Sequence, residues 1–444
     1  MSLSPHTIID ITQMTWDEFV RQSLTMPGFD FLVPSQTKLT IPFRGPGPWE
    51  LFESPVVGGA YAYTQDPLTK GSGTTLALNL EIGVAERNSE IRVFKVDQFG
   101  QKIPEFIAVS MPKTLEIDPQ NEYPQSFPFI VYFHATPDNE ETLFRASPRP
   151  LGHAWLNRYL SNILNGLIID RATPPKLEHQ VGLKGLPFQI ARSGKPFVHV
   201  HFIMPWAKGI HNPVYRFQFA DEVEKTLLGV QKFFLDKRMK RAYRLPDLKW
   251  VTLSAFSNGT NVLGPFINKN LIGSAIQKRF VQEVVKEVYI FDPPQPDWAG
   301  DAIISNALEW FDKSAHRSIA ALRMYTQHSY SALPRLVPNK KFETPDHDGY
   351  FESSGPRAIS LAFLKPNFSN DIWTHTRDDI LRRTAHEAAR RHMPVREFIP
   401  SVLNWLTVHH LVPELMLTHA LLKSKLTFYQ YNNSFAPDYK SIGL

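Results

Sequence analysis

Ser257 lies where a predicted strand turns directly into a predicted helix. Residues 250–253 form an apolar, β-branched run that predicts a buried strand, and the apolar residues within 262–267 recur at helical spacing. Ala255 and Gly259, two residues before and after the serine, are small enough for the backbone to fold back on itself. Such a turn presents the serine hydroxyl beside a helix N-terminus, where it could act as a nucleophile.

The pattern Ala255-x-Ser257-x-Gly259 resembles the nucleophile elbow of the α/β-hydrolase superfamily, in a variant with alanine in place of the first glycine. The pentapeptide alone is also typical of an ordinary strand-to-helix turn, because serine and glycine are common residues. The resemblance spans roughly residues 75–425. It implies an esterase-like or lipase-like serine hydrolase that transfers an acyl group to water through an acyl-enzyme.

A serine hydroxyl needs a neighbouring base, usually a histidine, which a carboxylate holds in place. In the α/β-hydrolase superfamily these residues follow the order nucleophile, acid, histidine. The resemblance therefore favours Asp292, which ends the predicted strand 287–291 and precedes two prolines, as the acid. Asp346 and Asp348, in a later loop, are the alternatives, and an aspartate before proline is also typical of a simple turn.

The base is expected from the last loop of the chain. His409 and His410 meet that description because they directly precede a helix that Pro413 is expected to open. We favour His409 and keep His410 as the alternative. His375 and His419 are weaker candidates, since His419 lies within the predicted helix.

The resemblance also implies an oxyanion hole. Its donors would be the backbone N–H of Asn258 and one N–H from Ala135 or Thr136, which follow an apolar predicted strand. His199 and His201 share one face of another predicted strand, but without a third ligand we interpret them as core or sheet-face histidines. We therefore expect neither a metal nor a cofactor.

Strands and helices alternate along most of the chain. The predicted strands lie at 129–133, 197–204, 250–253, 287–291, 318–325 and 358–364, and the predicted helices between or after them at 219–235, 302–313 and 413–422. This alternation predicts an α/β fold, with a mostly parallel central sheet and helices on both faces. Antiparallel strands at 76–82 and 91–96 are expected on its N-terminal side, and the aperiodic stretch 327–357 predicts a lid-like insertion.

We divide the chain of 444 residues into an N-terminal extension, residues 1–74, and an α/β-hydrolase-like catalytic domain, residues 75–444. Within the second, a cap or lid is expected at about 327–400. A chain of this length can bury a large core.

Composition excludes several functions. The chain has no cysteine, which rules out disulfides, thiolate nucleophiles and cysteine-based metal sites. The densest basic stretch, 237–241, closes a predicted helix, where cations complement the helix dipole, so we expect no nucleic-acid partner. No apolar run approaches the roughly 20 residues of a membrane helix. No signal peptide is visible, so we expect a cytoplasmic protein, although export by a route without such a signal stays open.

Aromatic residues near the predicted site favour a pocket for an apolar group; they are Trp206, Phe256, Trp298, Tyr330, Tyr350 and Phe351. We therefore favour a small-molecule carboxylic ester with an apolar acyl or alcohol group, with peptide and thioester substrates as alternatives. Because fold does not determine function, an inactive α/β-hydrolase fold that serves as a binding or scaffold module is the alternative from another class.

Overall fold

The computed structural model describes residues 3–10, 89–97, 105–112, 115–133, 186, 190, 193–203, 217, 219–268, 273–313, 319–333, 350–352, 357–363 and 405–426. Its strands are β1 Thr7–Asp10, β2 Ser89–Asp97, β3 Glu105–Pro112, β4 Pro128–Phe133, β5 Val198–Ile203, β6 Trp250–Phe256, β7 Val285–Phe291, β8 Ala320–Thr326, β9 Tyr350–Glu352 and β10 Arg357–Phe363. Its helices are α1 Ala220–Arg238, α2 Thr260–Ile267, α3 Ala275–Arg279, α4 Gly300–Lys313 and α5 Trp405–Leu422.

The described strands form one ten-stranded sheet in the order β1-β2-β3-β5-β4-β6-β7-β8-β10-β9. The neighbours from β5 to β10 pair in parallel, whereas β1, β2, β3 and β9 make the antiparallel pairings at the two edges. The fold is therefore of the α/β class, with a parallel centre and antiparallel strands on the N-terminal side.

One face of the sheet is apolar. Val131, Leu253, Val288 and Leu322 stand side by side across four neighbouring strands. They belong to the main hydrophobic core, to which α1, α2 and α4 also contribute buried side chains. We call this the apolar face. The central strands are also buried on their other side.

The other face carries buried polar side chains at alternate positions of the same strands, and we call it the polar face. In the described residues it includes Ser110, Tyr132, His199, His201, Thr252, Ser254, Glu287, Tyr289, Arg323 and Ser360. Helix α5 packs here, since His419 meets Tyr325 and His409 meets Phe256. Helices thus lie on both faces of the sheet, as the alternating pattern predicts.

The predicted strands from 129–133 to 358–364 are all present, with ends that differ by a few residues. Three strands were not predicted, β1, β3 and β9, and β1 lies within the stretch 1–74 that was assigned as an extension. The predicted strand 76–82 lies outside the described residues. Within the predicted cap, 327–400, the short strand β9 and the strand β10 belong to the sheet.

Among the helices that the structure describes, none combines the length and the apolar character needed to cross a membrane. The basic stretch near residue 240 coincides with the end of α1, where Lys237 and Arg238 occupy the last turn. Asp221 and Glu222 occupy the first turn, so the charges at both ends complement the helix dipole.

Candidate functional site

Ser257 occupies a tight turn between β6 and α2. Its backbone φ is +51°, in the left-handed region that residues other than glycine rarely adopt. The hydroxyl of Thr260 donates to the carbonyl oxygen of Ser257 at 2.5 Å, which ties the turn to the start of α2. Unfavourable backbone conformations of this kind persist only where surrounding contacts enforce them, and they concentrate at functional sites.

Asp292 follows the end of β7 and is fully buried, at 0 % exposure. Its φ of +39° is also left-handed. Its N–H donates to the carbonyl oxygen of Tyr325 on the neighbouring strand β8 at 2.6 Å. The carboxylate is therefore held at the same edge of the sheet as Ser257, because parallel strands end together.

His409 joins these two residues. Its Nδ1 lies 2.6 Å from Asp292 Oδ2, and its Nε2 lies 2.9 Å from Ser257 Oγ. A carboxylate only accepts hydrogen bonds, so the neutral imidazole carries its proton on Nδ1, and Ser257 Oγ–H donates to Nε2. The structure thus brings Ser257, Asp292 and His409 into one hydrogen-bonded chain in which the serine proton faces an acceptor.

The environment of His409 restricts its ring. The residue is 8 % exposed, and the ring of Phe256 lies 4.7 Å from its own, centroid to centroid. Ser257, by contrast, is half-buried. The imidazole is thus shielded on one side while the hydroxyl keeps access to solvent.

The position of His409 relative to its helix differs from the prediction. The residue does not precede a helix that Pro413 opens; it lies inside α5, which begins at Trp405 and contains Pro413 in its interior. Proline has no N–H for the carbonyl of the residue four positions earlier, which here is His409, and this normally ends a helix. Burial of Val412, Met416 and neighbouring residues outweighs that penalty.

Gln327 is a site residue that the sequence analysis missed. Its backbone N–H donates to Asp292 Oδ1 at 2.7 Å, and its side-chain Nε2 donates to Asp292 Oδ2 at 2.8 Å. The residue directly follows β8, the strand that pairs with β7. A polar side chain at that strand end, next to Asp292's strand, was the signal that could have revealed it.

The loop after Asp292 is braced from the neighbouring turn. Tyr330 Oη donates to the carbonyl oxygens of Pro293 and Pro294, each at 3.1 Å. Burial raises the pKa of Tyr330, which keeps the phenol protonated as a donor. A Cβ on Gly300 would stand 2.2 Å from the Pro294 carbonyl oxygen, so only glycine fits against this loop.

The structure places some other predicted residues and leaves others undescribed. Asn258 follows Ser257 in the 3₁₀ turn Ser257–Gly259, next to α2. His419 hydrogen-bonds Tyr325 Oη through Nδ1 at 2.6 Å, away from Ser257. The side chain of His410 and the whole of Ala135, Thr136, Asp346, Asp348 and His375 lie outside the described residues.

His199 and His201 lie on β5, buried on the polar face. Burial lowers the pKa of His199 to about 3, so this imidazole is neutral. Within the described ranges, no group of three or more His, Asp or Glu side chains could hold a metal ion.

The aromatic residues of the predicted pocket are only partly described. Phe256 packs on His409, and Tyr330 braces the loop after Asp292. Trp206 and the side chains of Trp298, Tyr350 and Phe351 lie outside the described residues.

Comparison of the chain with models of known protein families gave no match, and comparison with curated proteins gave none either.

Proposed function

We propose that this protein is a serine hydrolase of the α/β-hydrolase type that cleaves a carboxylic ester, with Ser257 as nucleophile, His409 as base and Asp292 as acid. The observation that carries the proposal is the hydrogen-bonded chain from Ser257 Oγ through His409 to Asp292, at 2.9 and 2.6 Å. The left-handed backbone of Ser257 supports it independently.

In the first half of the reaction, Ser257 Oγ attacks the carbonyl carbon of the ester while His409 Nε2 accepts the hydroxyl proton. The imidazolium that forms is stabilised by the buried Asp292 carboxylate. His409 then gives the proton to the departing alcohol oxygen as the carbon–oxygen bond breaks. The products of this half are the free alcohol and an ester of Ser257.

In the second half, a water molecule attacks the acyl-enzyme, and His409 accepts one of its protons. The same proton returns to Ser257 Oγ when the acid leaves. No cofactor is needed for either half, because the imidazole supplies all proton transfers.

During both halves a negative charge develops on the carbonyl oxygen of the substrate. We assign the backbone N–H of Asn258, at the start of the turn into α2, as one donor to that oxygen. Ala135 or Thr136 would supply the second donor, as the resemblance to the superfamily implies.

The contact between His409 and Asp292 favours an enzyme over an inactive binding module. A fold kept only as a scaffold has no need for a buried carboxylate against an imidazole, because burying a charge is costly unless it is well paired. The Asp292 carboxylate instead accepts hydrogen bonds from three donors, which are Gln327 N–H, Gln327 Nε2 and His409 Nδ1.

The test is hydrolysis of p-nitrophenyl esters with acyl chains of two to twelve carbons, beside matched thioesters and anilides. We expect the wild-type protein to cleave esters, with a preference for the longer chains, and Ser257→Ala to lose that activity. Ser274→Ala is the matched control, since Ser274 is exposed at the start of α3 and should be dispensable for activity. Equal activity of Ser257→Ala and wild type would contradict the proposal. If anilides are cleaved faster than esters, the substrate class is an amide and not an ester.

A further inference from the structure

Asp292 receives more hydrogen bonds than the orientation of His409 alone requires. Oδ2 accepts both from His409 Nδ1 at 2.6 Å and from Gln327 Nε2 at 2.8 Å, while Oδ1 accepts from the Gln327 backbone N–H at 2.7 Å. Gln327 therefore donates a hydrogen bond to each oxygen of the carboxylate, and its side chain and the imidazole donate to the same oxygen, Oδ2.

From this geometry we propose that Gln327 is a positioning residue that holds the Asp292 carboxylate in the orientation and the charge state that His409 requires. The inference rests on the proposed function. Gln327 touches neither Ser257 nor any reacting atom, so its effect passes through Asp292.

Two physical effects follow from this contact. The two hydrogen bonds from Gln327, one to each oxygen, fix the plane of the Asp292 carboxylate. The amide donor also stabilises the negative charge, since hydrogen bonds to the charged form of a group favour that form.

The position of Gln327 suits this role. The residue is 6 % exposed and follows directly after β8, whose register with β7 places the two strand ends together. Other titratable groups in this region are His328 and Tyr330, in the turn after β8, whose rings lie 6.3 Å apart, centroid to centroid. Asp301 of α4 lies beside the same turn, where its Oδ1 accepts from the Ser331 N–H at 2.7 Å. Tyr330 donates to backbone carbonyls, so in the described residues Gln327 is the side chain besides His409 that donates to Asp292.

The test compares Gln327→Ala and Gln327→Glu in the full chain by the rate at which a fluorophosphonate probe labels the protein, measured from pH 5 to 9. Gln327→Ala removes the side-chain donor but keeps the backbone donor, and we expect labelling about tenfold to a hundredfold slower, the range for one hydrogen bond to a charged group. Gln327→Glu puts a second carboxylate beside Asp292. Two carboxylates this close share one proton until it ionises, and while they share it Asp292 holds His409 less well, so the rise of the labelling rate with pH should move about one unit upward.

The matched control is Gln277→Glu. Gln277 Nε2 also donates to an aspartate, Asp221 Oδ1, at 2.9 Å, but on the surface between α1 and α3. This variant should label at the wild-type rate with the wild-type pH profile. Thermal melting of each variant separates loss of fold from loss of positioning, and Gln327→Glu, which preserves side-chain size, guards against a cavity effect in Gln327→Ala.

The outcomes separate the two proposals. A wild-type protein that labels while both Gln327 variants keep its rate and its pH profile would overturn this inference and leave the proposed function standing. A folded wild-type protein that never labels would overturn both. If the pH profile of labelling shifts in Gln327→Glu but not in Gln277→Glu, the positioning role is supported. A residue with a merely structural role would leave the pH profile unchanged.

Discussion

The two faces of the central sheet are made by alternate residues of the same strands, yet their chemistry differs. On the apolar face, one row across the sheet consists of Val131, Leu253, Val288, Leu322 and Ile359. One position further along each strand, the row on the polar face consists of Tyr132, Ser254, Tyr289, Arg323 and Ser360. Both rows are buried.

The apolar face supplies the main driving force for folding, because burial of apolar surface is favourable and non-directional. The polar face is held together by directional contacts. Arg323 Nη1 donates to Ser360 Oγ at 2.7 Å, and Arg323 also bonds the carbonyl oxygen of Lys423, just after α5. Glu287 Oε1 accepts from the Lys425 N–H at 2.6 Å.

These contacts fix the chain that follows α5 to the polar face. Lys195 Nζ adds bonds to the carbonyl oxygens of Ser424 at 3.3 Å and Leu426 at 2.8 Å. Because α5 also carries His409, the polar face orients the proposed base, whereas the strand ends provide Ser257 and Asp292. The comparison indicates that both faces contribute to stability, whereas only the polar face also positions the proposed base.

The largest effect is expected from removal of the base. His409→Ala should lower the rate of ester hydrolysis by about 10⁶-fold, because members of a triad act as a unit. Melting should show a folded protein. The control is His419→Ala on the same helix, which loses the bond to Tyr325 and should retain activity. If His409→Ala hydrolyses esters at the wild-type rate, the helix on the polar face does not supply the base.

A smaller loss is expected when the acid is made neutral. Asp292→Asn fits the left-handed backbone, since asparagine tolerates that region. It should still slow hydrolysis by about 10⁴-fold, because an amide that donates to His409 imposes the wrong tautomer. Steady-state kinetics should place the loss in kcat. If kcat changes by less than tenfold, another carboxylate, such as Asp346 or Asp348, is the acid.

On the apolar face, the effect should fall on stability alone. Leu253→Ala in β6 removes a fully buried side chain of the core and should lower the free energy of unfolding by about 2–5 kcal/mol. The folded fraction of this variant should hydrolyse esters at close to the wild-type rate. Urea denaturation and kinetics on the same preparation check both parts. A loss of kcat larger than tenfold in the folded variant would show that the apolar face also affects the reaction.

The smallest effect is expected within the polar network. Arg323→Lys keeps a positive charge but offers a point donor that cannot reach both Ser360 and the Lys423 carbonyl. A buried acceptor then loses its donor, which should lower the free energy of unfolding by about 1–3 kcal/mol. Urea denaturation measures this. An unchanged midpoint would mean that water replaces the guanidinium.

Features encoded by neighbouring residues were predictable from the sequence. The strand 129–133 is recognisable because a buried parallel strand is apolar throughout, and the turn at Ser257 because small residues flank it on both sides. Asp292 was predicted as the acid from its place at a strand end before two prolines. The structure brings it to His409 as the order of residues indicates.

Features that depend on tertiary contacts were not predictable. The four-residue edge strand β1 has too short a pattern, and its partner β2 lies some 80 residues later. Helix α5 runs through Pro413 because packing outweighs the local preference of proline to begin a helix. Gln327 reaches Asp292 across 35 positions of sequence, through the pairing of β7 with β8.

The central claim is that Ser257 is activated by His409 and Asp292, and the most direct measurement is the site of a fluorophosphonate adduct. The wild-type protein is labelled, digested and mapped by mass spectrometry. We predict a single adduct on Ser257, abolished in His409→Ala, although Ser257 itself is still present in that variant. An adduct on any other serine, or undiminished labelling of Ser257 in His409→Ala, would contradict the account.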